Sequence, residues 1–219
     1  MFARRMFIPT VFICLMGIPS SFFLSAAEQQ EGFEPLFDAF NAQDPGGWII
    51  QGFEKTGPKI LDNNILSVGG HDYWAVISKK EYENFVLRFD MKFDAVSNSG
   101  ILLHTPPKDI YKTRNRLEIQ LESGDDARMN KPEMKNGAIE RFIPPLANPA
   151  KAIGEWNQVE IKYENMKLWV RINDEIVQDG VDLSKINELN NHPQKGHIAI
   201  QRNENKKTVY FKNIRIKKL

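Results

Sequence analysis

The segment Leu117-Glu118-Ile119-Gln120-Leu121-Glu122 combines residue types and spacing that could do chemistry. Successive side chains of an extended strand point to opposite faces. Leu117, Ile119 and Leu121 therefore share one face, and Glu118, Gln120 and Glu122 line up on the other. Two carboxylates with an amide between them, fixed on a strand, can hold the hydroxyls of a sugar. They can also divide the roles of acid and base. A plain solvated strand face has the same alternation, so the pattern makes these residues candidates and no more.

Other residues are expected to join this row. In Gly100-Ile101-Leu102-Leu103-His104, Ile101 and Leu103 facing the core would put Leu102 and His104 beside Glu118. His104 could then serve as a general base or a hydrogen-bond donor. Asn98-Ser99-Gly100 has turn chemistry, with glycine supplying a positive φ, and Asn98 could position a hydroxyl. His197-Ile198-Ala199-Ile200-Gln201-Arg202 brings Gln201 and Arg202 to a strand end within reach of a ligand. Glu140 follows a long polar loop and is expected at the rim as a reserve acid. The rings of Trp48, Tyr73, Trp74, Trp156 and Trp169 could stack on the C–H face of a pyranose, and Trp48 is placed in the binding set. Trp169 alternates with Leu168 and Val170 and is expected on an exposed face.

The elements that must carry these groups are strands. Phe85 to Phe93 alternates apolar and polar residues, the pattern of a half-buried antiparallel strand. Strands are also expected over Ile101–Thr105, Leu117–Glu122, Trp156–Tyr163, Leu168–Ile172, Glu175–Val177, His197–Gln201, Val209–Phe211 and Asn213–Lys217. The turn Glu164-Asn165-Met166-Lys167 joins two of them. Pro106-Pro107 ends one strand, since proline cannot donate to a ladder. Ser123 to Asn136 is polar loop. Leu183 to Leu189 is a short helix candidate that Asp182 could cap. Many strands separated by short turns, with no long amphipathic helix between them, predict an all-β fold of two antiparallel sheets packed as a sandwich or jelly roll.

Composition narrows the function. Arg4-Arg5, the uncharged apolar run Met6–Leu24 and the small residues Ser25-Ala26-Ala27 have the order of a secretory signal. Residues 1–27 are expected to be removed, leaving a domain over 28–219 that is secreted or periplasmic. Cys14 lacks the small residue that usually precedes a lipidated cysteine. Without Arg4 and Arg5 the basic residues fall from 29 to 27 against 28 acids, a net charge of −1. That balance gives no electrostatic case for nucleic acid or an anionic membrane surface. The single cysteine lies in the signal, so no disulfide is expected. There is no phosphate loop, Gly-x-Ser-x-Gly elbow or Cys/His metal spacing. His71-Asp72 and Asp125-Asp126 have no spacing that demands a cation, and neither a metal nor another cofactor is expected.

Several short segments, in order, run nearly the length of the expected mature chain. They are Phe33-Glu34-Pro35-Leu36-Phe37-Asp38, Gly47-Trp48, Asn64-Ile65-Leu66-Ser67-Val68, Lys80 to Arg88, Asn98-Ser99-Gly100-Ile101, Leu117 to Leu121, Asn136-Gly137-Ala138-Ile139, Gly154-Glu155-Trp156-Asn157 and Phe211 to Ile216. Together they resemble the 3-keto-disaccharide hydrolase family. The resemblance implies a concanavalin-like jelly roll with a ligand site on its concave sheet. It also implies, for some members, cleavage of glycosides already oxidised at C3. Here Glu140-Arg141-Phe142 follows Gly137-Ala138-Ile139, where many relatives carry Tyr-Gly, a departure at the rim of the pocket.

The residues and the resemblance lead to one expectation. A base removes the C2 hydrogen that a C3 ketone acidifies, the C1 substituent leaves, and water adds to the enone. Glu118 and His104 are assigned to acid–base work with Glu140 in reserve. Asn98, Gln120 and Gln201 are assigned to hydroxyls, and Arg202 to the enolate oxygen. A non-catalytic carbohydrate-binding module or lectin would use the same face with Glu118 dispensable. Hydrolysis of an unoxidised glycan ranks last, because Gln120 stands where laminarinase-type strands have an acid.

Overall fold

The computed structural model describes residues 32–36, 48–52, 58–69, 74–108, 110, 116–124, 130–202 and 207–219. The expected signal segment, Tyr73, the side chain of Trp74, His71-Asp72 and Asp125-Asp126 lie outside the described residues.

The described residues form thirteen strands: β1 (Glu34–Pro35), β2 (Trp48–Gly52), β3 (Lys59–Leu61), β4 (Ile65–Val68), β5 (Trp74–Ser78), β6 (Phe85–Phe93), β7 (Asn98–Thr105), β8 (Leu117–Glu122), β9 (Asn157–Glu164), β10 (Lys167–Ile172), β11 (Glu175–Asp182), β12 (His197–Arg202) and β13 (Val209–Lys218). They form two antiparallel sheets. An eight-stranded sheet runs β11-β10-β9-β6-β13-β4-β3, with β1 paired to β13, and a five-stranded sheet runs β2-β5-β12-β7-β8. Between the sheets lies one continuous apolar core. The alternating Phe85, Leu87, Phe89, Met91 and Phe93 of β6 meet Ile101, Leu103, Ile119, Ile198 and Ile200 of the other sheet. Burying each such side chain contributes about 1.5–3 kcal/mol, and this sets the register of the strands that carry them.

Local chemistry closes the hairpins. Asn165 and Met166 both have positive φ, 50° and 61°, as the tight turn between β9 and β10 requires for its twist to match the strands. Asn213, φ 53°, makes an irregularity inside β13 where the register against β6 shifts, so two expected strands are one. The expected helix at Leu183 is a single 3-10 turn, Leu183–Lys185. Ser184 N donates to Asp182 Oδ1 at its start.

Pairing also bends β7 out of strict alternation. Its register against β12 moves from Leu102↔Ala199 to Thr105↔His197, three residues against two, and His104 has φ 50°. This is a β-bulge, whose extra residue re-aims a side chain. Gly196 lies against it. A Cβ at Gly196 would stand 2.7 Å from the His104 carbonyl carbon, so only glycine admits the bulge.

Candidate functional site

β7 and β8 are buried along their whole length. One face of the five-stranded sheet covers the core, and the other, distal face is covered too. Ile110, from the segment between β7 and β8, packs on it against Ala75, Ile77, Leu102 and Ala199.

The registers define rows across the distal face. Glu118 is opposite Leu102, Gln120 opposite Gly100, and Glu122 opposite Asn98. Beyond β7, Leu102 adjoins Ala199 and Gly100 adjoins Gln201, and these adjoin Ile77 and Ala75. On the free edge of β8, a short segment continues the sheet. Gln120 N donates to Ala138 O (2.9 Å), Gly137 N to Gln120 O (2.8 Å) and Glu140 N to Glu118 O (2.9 Å). Gly137 has φ 84°, and a Cβ there would meet Val177 Cγ2 at 2.8 Å, so glycine is needed to bring Glu140 alongside Glu118. One row thus reads Glu140, Glu118, Leu102, Ala199, Ile77, charged at the edge and apolar at the centre.

Arg116, just before β8, joins the two acids. Its Nε donates to Glu118 Oε2 at 2.8 Å, and its Nη2 lies 3.4 Å from Glu140 Oε2. Arg141 Nε reaches the same Glu140 oxygen at 3.2 Å. Only 1 % of Glu118 is exposed. Burial, with the Glu140 charge second, raises its pKa to about 7 against the opposing pull of Arg116. At the end of the strand, Glu122 accepts from Lys135 Nζ (3.1 Å) and from Gly124 N, and Asn136 Oδ1 accepts from Glu122 N (3.2 Å).

The structure therefore brings Glu118, Glu140, Gln120, Asn98 and Gln201 to one face, and excludes three expected members. His104 turns inward at the bulge. Its ring packs 4.4 Å from Tyr163 and 5.8 Å from Phe85, centroid to centroid, and its Nε2 meets Glu83 O at 2.9 Å. Burial, with His192 second, lowers its pKa to about 4. Arg202 shares its side of β12 with the core residues Ile198 and Ile200, opposite Gln201. Trp48 is core, 2 % exposed. One further expectation changes. Asn98-Ser99-Gly100 is strand, not turn, and Gly100 is not among the glycines of positive φ. Its lack of a side chain makes room for the Glu118 carboxyl, whose Cδ a Cβ would meet at 2.8 Å. Trp169 is half-buried on the outer face of the eight-stranded sheet, with Lys162 Nζ 4.8 Å from its ring. Trp156 carries Lys212 Nζ at 4.2 Å. Arg116 is the member that sequence reasoning missed, since it precedes the alternating run. Among the described residues no group of three or more His, Cys, Asp or Glu could hold a metal ion.

The 3-keto-alpha-glucoside-1,2-lyase-like domain matches residues 32–217. The chain belongs to this family. A Parabacteroides distasonis ATCC 8503 protein described as a "putative glycosyl hydrolase" is similar at 26 % identity. The match covers 85 % of this chain and 99 % of that one, with a TM-score of 0.71. A second protein of the same organism and description is 23 % identical over 90 % and 98 % of the two chains, TM-score 0.66. The carbohydrate binding module CBM66 of Bacillus subtilis shares the fold at 13 % identity over 78 % and 95 %, TM-score 0.51. No curated protein matches the chain. The lyase-like family and these relatives agree with the two-sheet jelly roll, and the family model spans every strand that carries the Glu118 row.

Proposed function

We propose that this chain is a secreted or periplasmic carbohydrate-active enzyme that cleaves 3-keto-glycosides by elimination. The observation that carries the reading is the buried pair Glu118 and Glu140 on one guanidinium, Arg116. Two carboxylates held this close cannot both ionise freely, so the pair retains a proton at a pH where a solvated glutamate has lost its own. One base and one acid then coexist near neutrality.

The reaction needs that combination. A C3 ketone acidifies the C2 hydrogen. The ionised member of the pair takes it as a proton, and the C2–H electrons form C2=C3 while the carbonyl pair moves to oxygen. Collapse of this enolate restores C3=O, forms C1=C2 and expels the C1 oxygen, which takes its proton from the protonated member. Water can then add across C1=C2. Asn98, opposite Glu122, and Gln201, beside Gly100, share the face with the pair and would hold hydroxyls. The apolar centre of the face, Leu102 and Ala199, is capped by Ile110, so the charged margin is the part that would meet the sugar.

The test is incubation of the protein with a 3-keto-α-glucoside, following enone absorbance and aglycone release. Product formation that Glu118→Gln abolishes is expected. No product from the wild type sinks the reading. A binding module is the second reading, favoured by the shared fold with CBM66. It predicts that wild type and Glu118→Gln bind sugar equally and that neither turns it over. Export is tested by cell fractionation, with N-terminal sequencing expected to start near Glu28.

A further inference from the structure

Gln120 stands in the middle of β8 between two small neighbours. Gly100 on β7 has no side chain, and Ala138 on the edge segment has one carbon. The Glu118 carboxyl lies over Gly100, beside the Gln120 amide. Only 2 % of Gln120 is exposed, yet its Nε2 is buried with no hydrogen-bond partner among the described residues. An unpaired buried donor is costly, and buried polar groups in native proteins are as a rule paired. This donor shares the distal face with the acid pair, and an acceptor on a ligand would complete it.

We infer that the Gln120 amide donates to the C3 carbonyl oxygen of the bound sugar and holds the negative charge that develops there. The inference rests on the elimination reading of the Glu118 pair and names the residue that reading lacks, now that Arg202 lies on the other face. The chemistry matches in kind. An amide NH2 offers only hydrogens, and a ketone or enolate oxygen offers only lone pairs. The bond strengthens as charge builds, because a hydrogen bond to an ionised acceptor is about twice as strong as a neutral one. It therefore favours the transition state over the ground state. Charge also balances inside the buried face. As the ionised acid of the pair takes the C2 proton its own charge disappears, and the enolate's appears in its place. The net buried charge is unchanged through the step, and a neutral donor at position 120 fits that requirement better than a second cation.

Two variants separate this role from simple packing. Gln120→Met keeps the shape and removes the donor. Gln120→Glu keeps the shape and carries a donor only when protonated. On a 3-keto-α-glucoside, Gln120→Met is expected to lose about 100-fold in kcat with a smaller change in KM, the size seen when one oxyanion donor is removed. Gln120→Glu, expressed as a ratio to wild type at each pH, is expected to be equally poor at pH 8 and to recover toward pH 5. Thermal unfolding checks that both variants fold. A third measurement needs no variant. The Gln120 side-chain NH2 resonance of 15N-labelled wild type should move when the 3-keto sugar is added and should stay in place with the 3-hydroxy sugar. Wild-type kcat in Gln120→Met, a flat pH ratio in Gln120→Glu, or an unmoved NH2 resonance overturns the inference while leaving the elimination reading intact. Absence of enone from the wild type overturns the elimination reading, and the resonance then decides the Gln120 contact by itself.

Discussion

The carboxyl group of Glu118 on β8 lies over Gly100 on β7, so close that a Cβ at position 100 would stand 2.8 Å from Glu118 Cδ. Gly100→Ala must therefore push the carboxyl aside and pull it off Arg116, 2.8 Å away. Forcing a methyl into packed space costs about 1–3 kcal/mol. The expected result is a drop of that size in urea unfolding, with loss of turnover on a 3-keto-glucoside. Full activity in Gly100→Ala would detach the Glu118 position from catalysis.

Removing Arg116 should unbalance the pair. Its guanidinium is the main group that lowers the Glu118 pKa against burial and Glu140, with Arg141 adding to it. In Arg116→Met the Glu118 pKa is expected to rise further, moving the corresponding limb of the pH–rate profile to higher pH. Breaking a buried ion pair at one partner typically costs about 3–5 kcal/mol. The cost here should be smaller below the Glu118 pKa, where the carboxyl can become neutral. Denaturant melts at pH 5 and pH 8 check that difference.

Glu118 itself should make stability fall as pH rises. Its folded pKa, about 7, lies above the ordinary 4.5, so the native state holds the proton more tightly than the unfolded chain. That contribution is complete below the unfolded pKa and is lost as pH climbs through 7. Glu118→Gln keeps the shape and removes the titration. Above pH 7 it should be more stable than wild type, by on the order of 1–3 kcal/mol, even as it loses activity. Equal stability of the two proteins from pH 4 to 9 would refute the shift.

His104 acts at the acid end with the opposite sign. Its folded pKa, about 4, lies below 6.5 because the ring is buried beside Tyr163 and His192. The unfolded chain therefore gains a proton first, and stability falls as pH drops from 6.5 toward 4. A full shift of this size corresponds to about 3 kcal/mol. His104→Phe keeps a ring against Phe85 and Tyr163 and should flatten that acid slope in a pH series of urea midpoints.

These contrasts explain what the sequence could reveal. β6 and β8 were readable because one face of each is strictly apolar, and the core then fixes which way every side chain points. Glu118, Gln120 and Glu122 followed from that alone, and the β-sandwich from the number and spacing of such runs. His104 was not readable, because one extra residue in β7 reverses the alternation, and a bulge depends on the partner strand and on Gly196 rather than on β7 itself. Arg202 followed the parity of Ile198 and Ile200, but its place at a strand end drew attention to reach instead of direction. Asn98-Ser99-Gly100 reads as a turn, where glycine is common. The role of Gly100 is to leave room, and only the neighbouring strand reveals that. Arg116 sits outside any periodic run, so no pattern marked it. Trp48 illustrates the limit for single aromatics, whose burial depends on what faces them.

The row that begins at Glu140 and Glu118 and continues through Leu102, Ala199 and Ile77 is lopsided, ionic at the sheet margin and greasy toward its middle. Ile110 already caps the greasy end, so a ligand that reaches the row meets its ionic margin first.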